Sequence, residues 1–402
     1  MKSYDAVISG AGPAGCSAAL SLARKGHRVL LLDKARFPRE KICGDGVTAS
    51  SVLLLEEMGV MELLRQRPES LNAFRGATFV SPGGMVVQGR IMQNGNMKGS
   101  SYIIPRTALD DCLVSRVKDH ASITFLDNTN VTGLILEGDC ARSVTTSAGD
   151  FSGRVVIAAD GAYSPIARQL NLLNRNKNQQ GFAMRAWFSD VDGLTDSIEL
   201  CYDKVMLPGY GWIFPAGKQR ANVGVFLLSR FTDQRTLKRL FERFVNEYDY
   251  ASAKLKNAVM EPGTLKSWPL PFGSFPGRRG HGNILLAGDA GSFVDPITGE
   301  GIYYALKSGQ YAAEAIAQVL KRNDEAAVLT RYEELWRGEF STRVYLPGYA
   351  FQHFMNNSWF VETFMRYTAK KQSRADLLAD VVAHNRKRRD LFKLLNPFHK
   401  VY

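Results

Sequence analysis

YDAVISGAGPAGCSAALSLARKGHRVLLLDK, residues 4–34, is the stretch that decides the fold of this chain. Its pattern predicts a short apolar strand, a glycine-rich turn, a helix with small residues along one side, and a second apolar strand ending at Asp33. Gly10 permits the tight turn, Gly12 lets a pyrophosphate approach the backbone, and Gly15 lets helix and strand pack closely. Asp33 is placed to accept hydrogen bonds from a ribose diol. Together these features predict a βαβ unit that binds a dinucleotide.

The length and composition indicate a globular protein with room for two domains. The chain has 402 residues, of which 45% are hydrophobic and 22% charged. No apolar run reaches the length of a membrane span, and the N-terminus lacks the order of a secretory signal. The cysteines are odd in number and form no CxxC pair, which argues against a disulfide framework or a zinc site and predicts a cytoplasmic protein without a metal. They are Cys16, Cys43, Cys112, Cys140 and Cys201.

Positive charge is concentrated near the C-terminus. The net charge is +12, and residues 366–402 contain ten Lys/Arg against three Asp/Glu, with the densest run at Arg386–Arg389. No recognisable nucleic-acid module accompanies this run, so no nucleic-acid partner is predicted. Attraction to an anionic membrane surface or to a phosphorylated substrate is one interpretation. A solvated basic helix end is the other.

Three later segments indicate which dinucleotide is bound. Residues 155–168, VVIAADGAYSPIAR, predict a buried strand that ends at an Asp160-Gly161 turn. Residues 284–301, ILLAGDAGSFVDPITGEG, predict another buried strand that delivers Asp289, an acid able to hold polyol hydroxyls. The glycines at the end of that segment open a helix, whose N-terminus can stabilise negative charge on a reduced flavin ring. Arg106, at the start of a further helix, can meet phosphate or ribityl oxygens.

With these motifs the chain resembles the FAD-dependent family that includes aromatic hydroxylases, flavin halogenases and geranylgeranyl reductases, over residues 1 to about 320. The resemblance implies that Asp289 contacts the ribityl chain of FAD, that Asp160-Gly161 bridges the flavin and reductant paths, and that Asp33 holds the adenosine ribose. There is no second GxGxxG. NAD(P)H or another reductant is therefore expected to bind transiently or to reduce the flavin indirectly, through a separate electron donor.

The expected fold class is α/β, with a discontinuous Rossmann-like FAD-binding domain, an inserted antiparallel β-sheet domain for the substrate, and a helical C-terminal region. Alternating strand and helix patterns give way to Gly/Pro-punctuated strand patterns and back again, which sets the boundaries. The predicted domains are residues 1–74, 101–172 and 262–322 for FAD, 75–100 and 173–261 for the substrate, and 323–402 for the helical, basic C-terminal region.

Two further segments resemble signatures of the geranylgeranyl reductase family. They are KICGDG, residues 41–46, and LPGYGWIFP, residues 207–215. In that family a KxCG segment lies near the flavin ring, a YxWxFP strand lines the substrate cavity, and reduced FAD delivers a hydride to an isolated C=C bond of a polyprenyl chain. Such a saturation also requires a proton donor, and the candidates to supply the proton, or to orient a water that does, are Cys43 and Tyr210.

The candidate residues fall into three sets. Those expected to be catalytic are Cys43, Tyr210 and Trp212, and those expected to line a hydrophobic small-molecule substrate are Tyr210, Trp212 and Phe214. Those expected to contact FAD are Gly10, Gly12, Pro13, Ala14, Gly15, Asp33, Lys34, Cys43, Gly44, Arg106, Asp160, Gly161, Gly288, Asp289, Pro296, Gly299 and Gly301.

Other functions remain open at this point. Halogenases of the family carry WxWxIP, and the corresponding residues 211–215, GWIFP, lack the second tryptophan. Halogenation is therefore disfavoured, whereas hydroxylation by a monooxygenase needs mainly a dry pocket and oxygen access, which leave little trace in a sequence. A flavin-bearing carrier or sensor would not need the extensive β-rich insert.

Overall fold

The computed structural model describes residues 4–92, 100–231 and 234–391. Parts of three predicted features fall outside these described residues. They are residues 1–3 of the FAD-binding domain, residues 93–99 and 232–233 of the substrate domain, and residues 392–402 of the basic C-terminal region.

Within the described residues, the strands are β1 (Tyr4–Ser9), β2 (Val29–Leu32), β3 (Gly46–Val47), β4 (Asn72–Phe74), β5 (Gly76–Val80), β6 (Val86–Arg90), β7 (Ser101–Ile103), β8 (Ile123–Leu126), β9 (Val131–Glu137), β10 (Cys140–Thr146), β11 (Gly149–Phe151), β12 (Gly153–Ala158), β13 (Gln180–Ser189), β14 (Ser197–Cys201), β15 (Tyr210–Pro215), β16 (Ala221–Leu228), β17 (Val259–Met260), β18 (Lys266–Pro271), β19 (Gly280–His281) and β20 (Ile284–Leu286). The α-helices are α1 (Pro13–Arg24), α2 (Ala49–Glu57), α3 (Val60–Arg65), α4 (Arg106–Lys118), α5 (Pro165–Gln169), α6 (Gln234–Asn246), α7 (Asp249–Leu255), α8 (Ile302–Arg322), α9 (Val328–Trp336), α10 (Leu346–Met355), α11 (Ser358–Ala369) and α12 (Gln372–Val382). A π-helical stretch, Arg337–Tyr345, joins α9 to α10.

A six-stranded sheet in the order β19-β20-β12-β1-β2-β8 forms the dinucleotide half. Its neighbouring strands run parallel, except for β19 and β20. Helices α1, α4 and α8 cover one face, and the small sheet β11-β10-β9 covers the other together with α5. Because both faces are covered, a strand such as β2 is entirely apolar and buried, as its sequence VLLL requires.

Helices α1 and α8 pack closely because small residues meet at their crossing. A Cβ placed on Gly309 would lie 2.2 Å from the carbonyl oxygen of Ala14, and Ser17 Oγ donates to the carbonyl oxygen of Leu306 at 2.8 Å. Alanines along the inner side of α1 are buried, as predicted. The close crossing sets the N-terminal part of α8 beside the glycine turn.

A second, eight-stranded sheet has the order β17-β13-β16-β15-β14-β5-β6, and β18 also pairs with β13. Its pairs are antiparallel except for β14 and β5, which run parallel. Strand β18 pairs with Gln180–Arg185, so the sheet continues past residue 261, the boundary predicted from the sequence. The chain therefore crosses this sheet once more before it returns to the dinucleotide half.

The C-terminal helices cover one face of the second sheet, and α6 and α7 cover the other. Helix α12 lies so close to edge strand β6 that a Cβ on Gly89 would come within 2.0 Å of the Ala375 carbonyl oxygen. Asp376 Oδ1 accepts from the Arg90 N–H at 2.8 Å, which satisfies an edge donor. Among the described residues, none of the helices is both long and apolar enough to cross a membrane.

Candidate active site

One cavity of about 690 Å³ lies where the two halves meet. Its walls come from the glycine turn after β1, the loop that holds Cys43, strand β15, the loop before α8, and helices α10 to α12. A volume of this order is usual for a site that binds a small molecule or cofactor. The dinucleotide motif and the aromatic strand of the second sheet thus face the same space.

The glycine turn has the geometry that its sequence predicts. Gly10 has φ +98°, and a Cβ there would lie 2.4 Å from a backbone carbonyl oxygen. A Cβ on Gly15 would lie 1.8 Å from the carbonyl oxygen of Gly10. In front of Gly12, the nearest atom to such a Cβ is Nη2 of Arg39 at 3.8 Å, so the space is open. Helix α1 begins at Pro13 without a side-chain cap, which leaves its N-terminus available to a phosphate.

Two acids border the cavity beside this turn. Asp33 accepts from the N–H groups of Ala11 and Ala35, both at 2.8 Å, and each oxygen keeps a further lone pair for a ligand hydroxyl. Asp160 Oδ2 accepts from Ser9 Oγ at 3.1 Å, whereas Oδ1 is buried without a partner among the described residues. Burial raises the pKa of Asp160 to about 6. A buried oxygen without a partner is expected where a ligand donor completes the site.

The loop before α8 forms another wall. Asp289 and Gly301 border the cavity, and α8 begins after Gly301, with Glu300 Oε1 accepting from the Tyr303 N–H of its first turn at 2.8 Å. Burial raises the pKa of Glu300 to about 8, with a further contribution from the charge of Asp295, and Glu300 Oε2 is buried without a partner in the described chain. Glu300 therefore keeps its proton to a higher pH than a free glutamate does, while its Oε1 is engaged by the first turn of α8.

Arg106 supplies positive charge to the opposite wall. Its guanidinium donates to both carboxylate oxygens of Asp110, at 2.8 and 2.7 Å, and Arg39 Nη1 lies 2.8 Å from the same carboxylate. Although burial works against the charged form, Asp110 holds the pKa of Arg106 above its ordinary value. Two guanidinium groups sharing one carboxylate leave a net positive charge, which suits a phosphate.

These groups fit FAD. The open glycine at the start of α1 and the surplus guanidinium charge suit the pyrophosphate, the two acids have acceptor capacity for hydroxyl groups, and the N-terminus of α8 suits the flavin ring. The fit rests on the open space at Gly12 and on the unpartnered oxygen of Asp160.

Cys43 lies in a loop that side chains of the second sheet hold, and Asn222 makes the contact to Cys43 itself. The amide nitrogen of Asn222, on β16, donates to the Cys43 carbonyl oxygen at 2.9 Å and to Asp45 Oδ2 at 2.8 Å. Its amide oxygen accepts from Trp212 Nε1 at 3.0 Å. Burial, together with the charge of Asp45, raises the pKa of the Cys43 thiol. The thiol therefore keeps its proton at neutral pH.

Tyr210, Trp212 and Phe214 alternate along β15, and all three border the cavity, as the period of a strand predicts. The ring centroids of Tyr210 and Trp212 are 6.3 Å apart, and those of Trp212 and Phe214 are 6.0 Å apart. The Tyr210 hydroxyl donates to the carbonyl oxygen of Thr298, and burial raises its pKa. Because that hydrogen is already engaged, Cys43 is the better placed of the two expected proton donors.

The structure brings nearly all of the expected FAD contacts to the cavity. Those that border it are Gly10, Gly12, Pro13, Ala14, Asp33, Lys34, Cys43, Gly44, Arg106, Asp160, Gly161, Gly288, Asp289, Gly299 and Gly301. Gly15 and Pro296 do not border it. Gly15 packs beneath the turn, and the Pro296 carbonyl oxygen accepts from Gln352 Nε2 on α10 at 2.7 Å. The roles of all these residues toward FAD stay predictions.

Sequence reasoning missed several polar residues around the cavity. Asn222 and Arg185 are buried on apolar strands, and Arg185 Nη2 lies 3.1 Å from Glu40 Oε1. Lys41, by contrast, belongs to the KxCG segment quoted from the sequence; its Nζ is 3.7 Å from the centroid of the Trp268 ring, and burial lowers its pKa to about 8. The available signal was a polar residue within a buried strand, because such a residue must find a partner.

Arg388 is an exception to the interpretation of the basic run 386–389 as a solvated helix end. Its side chain is only 14% exposed and pairs with Asp295, which is fully buried and also accepts from the Tyr304 hydroxyl at 3.1 Å. Arg386 lies 3.4 Å from Asp380. A buried acid in the loop before α8 needs a cation, and the C-terminal segment supplies one.

Comparison with known proteins identifies the class. The model of the FAD binding domain family matches residues 3–343, which is most of the chain. The protein therefore belongs to that family and is an FAD-dependent oxidoreductase, as its motifs predicted.

Within this family the chain is geranylgeranyl reductase-like. It is 34% identical over 328 residues to a menaquinone reductase of Mycobacterium tuberculosis, covering 78% of this chain and 76% of the relative. It is 30% identical over 407 residues to a digeranylgeranylglycerophospholipid reductase of Methanosphaerula palustris, covering 96% of each.

Solved structures confirm the predicted fold class. A geranylgeranyl bacteriochlorophyll reductase-like protein from Thermoplasma acidophilum superposes with a TM-score of 0.83 at 23% identity, covering 98% of this chain and 100% of that one. A flavin-dependent brominase superposes with a TM-score of 0.74 at 20% identity, covering 95% and 94%. At these identities the likeness concerns the fold alone.

Proposed function

We propose that this protein saturates carbon–carbon double bonds in the isoprenoid chain of a lipid or related hydrophobic substrate. When bound, reduced FAD supplies the hydride. The observation that carries the proposal is the cavity, which joins the FAD motifs to an apolar chamber between β15 and the C-terminal helices. The names of the relatives, a menaquinone reductase and a digeranylgeranylglycerophospholipid reductase, support a hydrophobic substrate.

The apolar chamber suits an alkene. Side chains from both walls border it, among them Ile198, Leu200, Phe226, Met355, Phe364 and Leu378. An unactivated double bond offers no charge for the protein to stabilise, so the site must act by positioning the chain and by excluding water. Trp212 and Phe214 would align the chain, and the Asn222 hydrogen bond fixes the orientation of the indole.

Cys43 is the proposed proton donor. Saturation of one double bond adds a hydride to one carbon and a proton to the other. The thiol holds its proton at neutral pH because its pKa is raised, and after transfer the thiolate recovers a proton from water. Asn222 positions this group through the Cys43 carbonyl oxygen.

The electrons are proposed to come from outside the chain. The sequence has a single GxGxxG, which is assigned to FAD. We therefore propose that NAD(P)H binds transiently, or that a separate electron donor reduces the flavin.

An anaerobic single-turnover experiment tests the proposal. The flavin of the purified protein is reduced with dithionite and mixed, without oxygen, with geranylgeraniol or with a lipid extract in detergent. Flavin absorbance and product mass are followed together. Reoxidation coupled to a lipid that gains two hydrogens is the expected result.

The same experiment distinguishes the competing activity. If the flavin stays reduced until air is admitted and an oxygenated product then forms, the protein is a monooxygenase and the proposal is wrong. If reoxidation without oxygen yields no hydrogenated lipid, the proposed substrate class is wrong.

A further inference from the structure

Helices α10 and α11 carry large apolar side chains that face solvent. Trp359 is 73% exposed, Leu346 64% and Phe354 58%, the highest fractions among the large apolar residues of the described chain. Phe354 and Trp359 flank the short connection between the two helices, and Leu346 opens α10 two turns before Phe354. These three residues, called here the α10–α11 patch, remain unexplained by packing within the chain.

Positive charge prevails in the segment that carries the patch. Between residues 340 and 375 the chain has five Lys/Arg and a single acid, Glu362. The cations are Arg343, Arg366, Lys370, Lys371 and Arg374. Glu362 is engaged by Arg366 at 3.0 Å, and Lys370 and Lys371 lie exposed where α11 ends. Aromatic and aliphatic side chains among cations match the surface of an anionic bilayer, where tryptophan favours the interface and lysine the headgroups.

The same two helices wall the cavity with their other side. Phe351 and Met355 of α10 border it, as do Phe364 and Met365 of α11. A helix with its side chains is about 10 Å across, so the patch and the apolar chamber are separated by about one helix layer. A surface that bound lipid here would lie beside the chamber proposed to hold an isoprenoid chain.

We propose that the α10–α11 patch docks this protein on an anionic lipid bilayer, with Leu346, Phe354 and Trp359 inserted at the interface. Docking can be measured without turnover, so its test is independent of the proposed reaction. The run 386–389 is less suited to this contact, because Arg388 is paired with Asp295 inside the protein.

Vesicle flotation tests the docking. The FAD-loaded protein is mixed with phosphatidylcholine vesicles that either contain or lack phosphatidylglycerol. Wild type is expected to bind the anionic vesicles at least about tenfold more strongly than the neutral ones, because several cations lie near the surface. Phe354→Ala combined with Trp359→Ala should weaken binding by about tenfold or more. Lys370→Gln combined with Lys371→Gln should weaken anionic binding by about fivefold per charge, less in high salt.

A matched control comes from the other edge of the second sheet. Val259 and Met260 on β17 are also exposed, at 57% and 42%, and β17 lies at the opposite end of the strand order from β6, which α12 covers. Val259→Ala combined with Met260→Ala should leave vesicle binding unchanged. All variants should retain FAD, because the changed side chains face solvent.

Three results would overturn the proposal. If wild type does not bind anionic vesicles, the protein does not dock on them. If the Phe354/Trp359 variant binds as wild type does, the α10–α11 patch is not the docking surface. A variant that instead loses a dimer in size-exclusion chromatography, with vesicle binding unchanged, assigns the patch to contact between copies of this chain. Vesicle binding without alkene reduction would disprove the proposed reaction and leave the docking surface standing.

Discussion

The glycine turn and the Cys43 loop border the same cavity but are fixed in different ways. In the turn, Gly15 lies directly against the carbonyl oxygen of Gly10, so neighbouring backbone atoms determine the shape. In the loop, Cys43 is held through its carbonyl oxygen by Asn222, which is 179 residues away in the sequence. The first arrangement depends on local backbone geometry, and the second depends on a side chain from another sheet.

The glycine turn is therefore expected to matter mainly for folding, and the Cys43 loop mainly for the proposed reaction. A change in the turn alters the packing of α1 on the six-stranded sheet, which forms the dinucleotide half. A change at the Cys43 loop leaves that sheet intact and alters the position of a thiol and an indole. Substitutions at the two places are therefore expected to fail in different measurements.

Gly15→Ala is expected to have the largest effect. Its Cβ would lie 1.8 Å from a backbone oxygen that cannot move aside, which should destabilise the fold by about 3 kcal/mol or more and abolish FAD binding. Gly12→Ala is the matched control, because its Cβ meets open space and its φ of −80° suits any residue. It should keep wild-type unfolding within about 0.5 kcal/mol in denaturant, yet bind FAD at least about tenfold more weakly. Equal unfolding of the two variants would contradict the local account of the turn.

Cys43→Ser, in the Cys43 loop, should lower turnover without changing the stability of the fold. The hydroxyl is a far weaker acid than the thiol, so turnover in the anaerobic assay should fall by about a hundredfold or more. FAD content and the denaturant midpoint should stay as in wild type. Cys140→Ser is the control, since Cys140 is exposed and should be neutral in every measurement. Full turnover by Cys43→Ser would reduce Cys43 to a packing residue.

Asn222→Ala tests whether the distant side chain positions the site. The change leaves the Trp212 indole N–H and an oxygen of Asp45 without a partner, which should cost about 2 kcal/mol of stability. Within the folded fraction, kcat should fall while the FAD dissociation constant does not change. Asn246→Ala, an exposed change of the same type, should alter neither. A purely structural Asn222 would lower the stability and leave kcat per bound flavin intact.

The same contrast explains how much of the molecule could be predicted from its sequence. The fold class and the FAD motifs were predictable because each is a short segment whose glycines and acid have fixed geometric roles. Alternation along β15 was enough to predict that Tyr210, Trp212 and Phe214 share one face. Each of these inferences needs only neighbouring residues.

The missed residues depend on partners that are distant along the chain. Arg388 is 93 residues from Asp295, and in the sequence it is one of four consecutive cations that look alike. Its inward direction is set by its partners Asp295 and the Val344 carbonyl oxygen, which the neighbouring sequence does not indicate. The place of β18 in the second sheet likewise depends on a distant partner, because β18 pairs with β13.

Glu300→Gln should have the smallest effect. It tests a group in the cavity wall that the loop before α8 forms. Burial raises the pKa of Glu300 from 4.5 to about 8, so the folded protein keeps a proton that the unfolded chain has lost. The stability that this provides is complete below pH 4.5 and is lost as the pH rises through about 8. Between about pH 7 and pH 9, wild type should lose about 1 kcal/mol relative to Glu300→Gln, which cannot titrate. Denaturant unfolding of both proteins across this range measures the difference. Parallel pH profiles would mean that Glu300 is ionised in the folded protein, and the wall beside α8 would then carry a negative charge that a reduced flavin could not approach without cost.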